Sequence, residues 1–240
     1  MDGTATLVTG VSRGIGRAIA ERLARSGQTI IGLSRSKPEG YFPGEHHAVD
    51  LGDGEATRAA MAEITARHKV VRLVNNAGIG RMAPVEQIKT ADLAAVLDVN
   101  VRAAMQCLQA CLPAMREARF GRVLNIGSRA ALGKEGRSSY AISKGALGCF
   151  TRAAALELAA DGITVNCIAP GPIETELFTR NNAANPDMRR AFEARVPVGR
   201  LGTPQDIAAA AAYFLSVESG FTTGQVLYIC GGMTAGLAPI

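Results

Sequence analysis

Apolar, β-branched runs alternate along the chain with Ala-rich stretches whose apolar positions recur at helical spacing. The runs fall at 4–9, 29–34, 46–49, 71–75, 122–126, 164–169 and 225–229. Most are almost continuously apolar, the pattern of strands covered on both faces of a parallel sheet. Helices are predicted at 15–25, 55–67, 91–116, 139–160 and 204–215. The last has a start signal: Thr203 as cap, Pro204 in the first helical position and Asp206 as capping acid. Gly27 and Gly162 stand where a left-handed residue closes a helix. The alternation predicts one α/β domain over 1–240, a doubly wound parallel sheet of about seven strands with right-handed crossovers. Only 171–202 breaks the rhythm. Polar insertions of this length are often lids, and a substrate lid is expected at 172–202.

Composition narrows the class. Of 240 residues, 48% are hydrophobic and 20% charged, too apolar for a disordered chain. No apolar run reaches the roughly 18 residues that a transmembrane helix needs. The first residues carry no basic leader with an apolar stretch behind it, so a cytoplasmic protein is expected. Five cysteines without a CxxC read as reduced, buried thiols. The net charge of +5 comes from dispersed arginines, with no basic run interleaved with aromatics. Nucleic acid is therefore not the expected partner, and an anionic cofactor suits the balance. His46, His47 and His68 lack partners at ligand spacing, so no metal is expected.

Candidate chemistry begins after the first strand, at Thr9-Gly10-Val11-Ser12-Arg13-Gly14-Ile15-Gly16. Glycines there permit a tight turn and let backbone N–H groups approach a pyrophosphate at a helix N-terminus. In the first turn of a β-α series, this is a dinucleotide site of Rossmann type. The second strand ends in Ser34-Arg35-Ser36, without the carboxylate that would grip a ribose 2′-hydroxyl. Arg35 between two serines, with Arg13 nearby, would pair with a 2′-phosphate, so NADP(H) is favoured over NAD(H).

Tyr140 and Lys144 are four apart in a predicted helix and share one face. A free phenol has a pKa near ~10, and a neighbouring ammonium would pull it toward the working range. Ser128 follows the fifth strand, Asn75-Asn76-Ala77-Gly78 the fourth and Pro170-Gly171 the sixth, all at the carboxyl edge where open sheets bind ligands. Asn100 lies mid-helix, an unusual place for a short polar side chain that binds nothing.

In order and spacing these motifs resemble the short-chain dehydrogenase/reductase family, over nearly the whole chain. The nearest general likeness is to its 3-oxoacyl carrier-protein reductase branch. The resemblance implies that Tyr140 protonates a substrate carbonyl as hydride arrives from the nicotinamide. It implies that Lys144 holds the nicotinamide ribose, that Ser128 hydrogen-bonds the carbonyl oxygen, and that Asn100 helps hold a water relaying protons to Lys144. Asp50 and Leu51 would contact the adenine, Asn76, Ala77 and Gly78 would support the cofactor, and Ile173 and Thr175 would meet the carboxamide. A homotetramer or homodimer packed through the long helices at 91–116 and 139–160 is also implied, with the apolar tail at 236–240 reaching a neighbour.

Two departures stand out. The Ser128–Tyr140 interval is one residue shorter than in that branch, which loosens any transfer of substrate identity. Cys230-Gly231-Gly232 replaces the usual Asp-Gly-Gly, and Cys230 reads as a buried structural thiol. The expected function is hydride transfer between NADP(H) and a carbonyl or secondary alcohol, as a ketone or 3-oxoacyl-type reductase. Its rivals are an NAD-dependent alcohol or dihydrodiol dehydrogenase and a nucleotide sensor without catalysis. Phe178, Met188 and Phe192 are candidate substrate walls. Arg180, Arg189, Arg190 and Arg195 are either an anion site or a solvated helix face, with the second reading preferred.

Overall fold

The seven strands of the computed structural model, which describes residues 3–176, 178 and 185–236, are β1 (Thr4–Thr9), β2 (Thr29–Ser34), β3 (Glu45–Ala48), β4 (Lys69–Asn75), β5 (Gly121–Ile126), β6 (Ile163–Pro170) and β7 (Val226–Ile229). They form one sheet in the order β3-β2-β1-β4-β5-β6-β7. Every neighbouring pair is parallel. The order reverses between β1 and β4, so the chain diverges there and leaves a crevice at the carboxyl ends of both strands.

Strand side chains alternate between two cores. Leu7, Leu33, Leu73 and Val123 face α2 (Gly54–Arg67), α4 (Ala103–Glu117) and α5 (Ser138–Leu158). Val8, Ile30, Val74 and Leu124 face α1 (Gly14–Arg25) and a C-terminal helix at Pro204–Phe214. That helix opens with the expected capping box between Thr203 and Asp206. Gly27 and Gly162 take the left-handed conformation, at φ 83° and 77°.

Arg72 and Arg122 are register partners on β4 and β5, both buried, and their guanidiniums lie 4.9 and 4.2 Å from the Phe120 ring centroid. No acid neutralises them among the described residues. They donate instead to the carbonyls of Leu215, Ser216 and Val217, just past the C-terminal helix. Burial lowers both pKa values, with the Arg72 charge adding to the effect on Arg122. The negative end of a helix dipole holds the two cations.

Two stretches differ from the sequence expectation. The helix predicted at 91–116 is α3 (Thr90–Leu97), a π-helical turn at Asp98–Arg102 and then α4. A π turn inserts one residue and re-aims its side chains, and such turns gather at functional sites. Inside 172–202 lies an unforeseen helix, α6 (Pro186–Glu193). Its signal was present: Asn185 Oδ1 accepts from Met188 N at 2.9 Å, and Pro186 opens the helix. The segment's ends are clamped together, with Glu174 N donating to Gly202 O at 2.7 Å and Gly202 N to Pro172 O at 3.0 Å. The C-terminal helix is therefore α7 (Pro204–Phe214). Among the described residues no helix is long and apolar enough to cross a membrane.

Candidate active site

The turn between β1 and α1 is built by close approach. A Cβ at Gly16 would lie 2.4 Å from Gly10 O and 2.3 Å from Asn76 Nδ2, so that position excludes any side chain. Gly10 and Gly14 take φ of 73° and 61°. Asn76 Nδ2 donates to Thr9 O at 2.9 Å and Gly10 O at 3.2 Å. Thr9 Oγ1 accepts from Asn76 N and Ala77 N, each at 2.9 Å. Asn76 and Ala77 thus hold the turn from behind, and Thr9, the first residue of the motif, gains a supporting role that spacing alone does not show.

Helix α1 begins at Gly14, with Arg13 as an N-cap whose side chain makes no capping bond and with no acid in the first turn. Its leading N–H groups, beside Ser12 and Ile15, offer an anion site of the kind a pyrophosphate takes. The chain after β6 comes over this turn. A Cβ at Gly14 would meet Thr175 Cγ2 at 3.3 Å, and Arg13 Nη1 pairs with Glu176 at 2.9 Å. The Arg13 guanidinium, expected at a 2′-phosphate, is engaged here by an exposed carboxylate that the sequence did not reveal as a neighbour.

At the end of β2, Ser34 is buried; its Oγ donates to Ser36 O at 2.9 Å and sits 2.9 Å from His46 Nε2. That hydroxyl shapes the turn, while Arg35 and Ser36 face outward. Asp50 Oδ1 accepts from Gly52 N at 2.9 Å. Arg102 Nη2 donates to Leu51 O and Gly52 O at 3.2 and 2.7 Å, so the π turn also fixes the loop after β3. Pro170 ends β6 in register with Ile229, and Gly171 N donates to Ile229 O at 2.8 Å. A Cβ on Gly171 would come within 2.6 Å of Cys230 Cα. Cys230 is buried with Sγ 3.2 Å from Thr234 Oγ1. Ile173 is buried too, at the rim of a cavity of about 250 Å³ walled by Pro172, Val196, Val198 and Ile229.

Ser128, Tyr140, Lys144 and Asn100 come together on the other side of the loop that follows β4. Ser128 caps a short 3₁₀ turn at Arg129–Leu132, its Oγ accepting from Ala130 N at 3.1 Å, and its hydroxyl acts on the Tyr140 phenol. A Cβ at Gly80 would touch the Tyr140 ring at 3.5 Å. One at Gly78 would stand 3.3 Å from both Lys144 Nζ and Asn100 Oδ1. Lys144 Nζ is 5.7 Å from the Tyr140 ring centroid and donates to Ile126 O at 2.7 Å. Asn100 Nδ2 donates to Ile79 O at 3.0 Å and Ser143 Oγ at 2.9 Å, and its Oδ1 accepts from Ile79 N at 2.8 Å. Ser143, whose Oγ donates to Tyr140 O at 2.8 Å, is a further part of the site. Its signal was a small polar residue inside a helix, adjacent to Lys144.

The loop at 76–80 therefore joins the two clusters: Asn76 touches the glycine turn, and Gly78 and Gly80 face Asn100, Lys144 and Tyr140. Burial draws the Lys144 ammonium down to about 8. Burial also pushes the Tyr140 phenol up, while the Ser128 hydrogen bond and the Arg137 charge pull it back. The expectation that Lys144 lowers the phenol's pKa is not what this geometry gives. Here desolvation prevails, and the ammonium is spent on a backbone carbonyl.

At the mouth, Phe178 and Phe192 meet edge to face at 5.3 Å, and Lys134 Nζ lies 5.9 Å from the Phe192 ring. Arg189 pairs with Glu174 and Glu193, and Arg190 with Asp187. These arginines form a solvated, ion-paired face; Met188 and Arg195 are exposed. Arg180 and the tail at 237–240 lie outside the described residues.

A family model described as Enoyl-(Acyl carrier protein) reductase matches residues 10–234. The chain is 38% identical to the 3-oxoacyl-acyl-carrier-protein reductase FabG of Vibrio cholerae, over 97% of this chain and 98% of that one. It is 36% identical to the (2S)-[(R)-hydroxy(phenyl)methyl]succinyl-CoA dehydrogenase subunit BbsD of Thauera aromatica, over 94% of each. A solved structure, a putative NAD(P)-dependent gluconate 5-dehydrogenase from Beutenbergia cavernae with bound NADP at low occupancy, superposes with a TM-score of 0.91. It is 34% identical and covers 98% of both chains.

Proposed function

This chain belongs to the short-chain dehydrogenase/reductase family of oxidoreductases, and from that premise we propose that it reduces a ketone or 3-oxoacyl-type carbonyl with NADPH. The observation that carries the reading is the meeting of Tyr140, Lys144 and Asn100 at the Gly78–Gly80 loop, whose other end holds the glycine turn. The cradle fits a dinucleotide: side chains are excluded at Gly10 and Gly16, and α1 starts without a competing cap. Gly10 to Gly16 would hold the pyrophosphate, Asp50 and Leu51 the adenine. Asn76, Ala77, Gly78, Pro170, Gly171, Ile173 and Thr175 would line the path to the nicotinamide, with Lys144 at its ribose. NADP-bound relatives of this fold support that cofactor.

Bound NADPH supplies a hydride to the carbonyl carbon. Ser128 donates a hydrogen bond to the carbonyl oxygen and so favours the negative charge that grows there. Tyr140 gives that oxygen its phenolic proton, and the alcohol is complete. A phenol pushed up by burial is protonated at neutral pH, the state a proton donor needs. Lys144 lies 5.7 Å from the Tyr140 ring centroid, and Asn100, bonded to Ile79 and Ser143, would help hold a water that relays protons to Lys144. The described parts of 172–202, with α6 and the Phe178–Phe192 pair, would cover the substrate. Absorbance of NADPH against a panel of 3-oxoacyl thioesters, quinones and cyclic ketones tests this; no oxidation across the panel despite NADPH binding would leave the sensor reading.

Arg35 carries the choice of cofactor. Arg35→Asp is expected to weaken NADPH by roughly ten- to a hundredfold, the worth of one charge-assisted contact, and NADH by less than about threefold. Fluorescence titration with both cofactors reads this directly; an unchanged preference would put the 2′-phosphate elsewhere.

We also place the protein in the cytoplasm, where its free thiols stay reduced. We expect it to self-associate through α4 and α5, which expose Met105, Ile142 and Leu156. Light scattering at micromolar concentration should give two or four times the chain mass; a monomeric mass would end that expectation.

A further inference from the structure

The loop joining Ser128 to Tyr140 carries three cations, Arg129, Lys134 and Arg137, against one acid, the exposed Glu135. Arg137 N donates to Lys134 O at 3.2 Å, which folds the loop back toward the start of α5. Across the mouth, α6 keeps its arginines occupied: Arg189 with Glu174 and Glu193, Arg190 with Asp187. Lys134 and Arg129 have no carboxylate at ion-pair distance among the described residues. Lys134 instead lays its ammonium against the Phe192 ring, itself packed on Phe178. The Lys134 side chain is exposed, its ammonium lies over an aromatic face between two arginines, and no carboxylate pairs with it among the described residues. Burial, Arg137 and Arg129 all lower its pKa. Such a group gains most from an anion brought in by a ligand.

We propose that Lys134 determines specificity by binding a carboxylate carried by the substrate, with the Phe178–Phe192 pair as the apolar wall beside it. The proposal rests on the reductase reading, since Ser128 and Tyr140 at the two ends of this loop fix where the carbonyl sits. A phosphate of a thioester carrier is the other anion that could supply the charge. It lies far along a flexible arm, whereas Lys134 belongs to the loop that bears the reacting groups, so a carboxylate a few bonds from the carbonyl fits better. The substrate class is then an oxo acid.

The test compares levulinate with methyl levulinate, which differ only in that charge, for the wild type, Lys134→Met and Lys134→Arg. Lys134→Met should lower kcat/KM for the acid by about ten- to a hundredfold, mostly through KM, and for the ester by less than about twofold. Lys134→Arg should recover most of the loss, and added salt should raise KM for the acid alone. Equal losses on acid and ester overturn the proposal. So does a loss confined to a 3-oxoacyl-CoA and absent from both its N-acetylcysteamine analogue and levulinate, which would assign Lys134 to the phosphates. Calorimetric titration of the reduced hydroxy acid into the NADP⁺-loaded protein needs no turnover. If no carbonyl compound is reduced, the reductase reading fails; binding lost in Lys134→Met would still sustain the anion site, and binding unchanged by it would not.

Discussion

Tyr140→Phe is expected to lower kcat for carbonyl reduction by about 10²–10⁴-fold, the usual worth of a positioned acid, with NADPH affinity within about twofold of wild type. The change removes one oxygen. The ring that packs against Gly80 stays, and the glycine turn, held by Asn76 and Thr9, is untouched. What goes is the hydroxyl that carries the proton for the growing alkoxide. KM should move little, because the phenol acts in the transition state more than in the ground state. NADPH absorbance gives the rate and a fluorescence titration the affinity. Equal turnover by the variant would reject Tyr140 as the acid and with it the proposed chemistry.

Much of this site was legible because its signals are local. A strand followed by spaced glycines, and a phenol four residues from an ammonium, each carry their geometry in their spacing. The Thr203–Asp206 capping box and the left-handed Gly27 and Gly162 were legible for the same reason. The parallel, doubly wound sheet followed from strand–helix alternation and handedness, while its strand order was not read from the sequence. Illegible features depend on contacts far apart in the chain. Arg13 meets Glu176 across 163 positions. Arg102 reaches back to Leu51 and Gly52. The π turn at Asp98–Arg102 has the same apolar spacing as an ordinary helix to first order, so the helix was read as unbroken from 91 to 116. Nor could spacing weigh desolvation against charge for Tyr140, since that balance depends on how deeply the phenol packs.

Lys144→Met should make the opposite case, an enzyme that is less active and more stable. Lys144 is only 4% exposed, and burial lowers its pKa from 10.5 to about 8. Keeping it charged at neutral pH therefore costs the folded state on the order of 3 kcal/mol, from about 1.36 kcal/mol per unit. Loss of the bond from Nζ to Ile126 O offsets about 1–2 kcal/mol of that in the variant. At pH 7 the cofactor-free variant should be more stable by about 1–2 kcal/mol, with kcat/KM down about 10²–10³-fold because the cation beside the phenol is gone. The pH dependence has a definite sign. Between about 8 and 10.5 the folded wild type has shed the Lys144 proton and the unfolded chain still holds it. The wild type thus gains stability as pH rises through that window, and below it the cost is full. The gap between variant and wild type should narrow in urea unfolding at pH 9.5 relative to pH 7, because the variant has nothing to titrate there. A gap constant with pH would mean that Lys144 carries no desolvation cost, and that its position beside Tyr140 and Asn100 is set by packing alone.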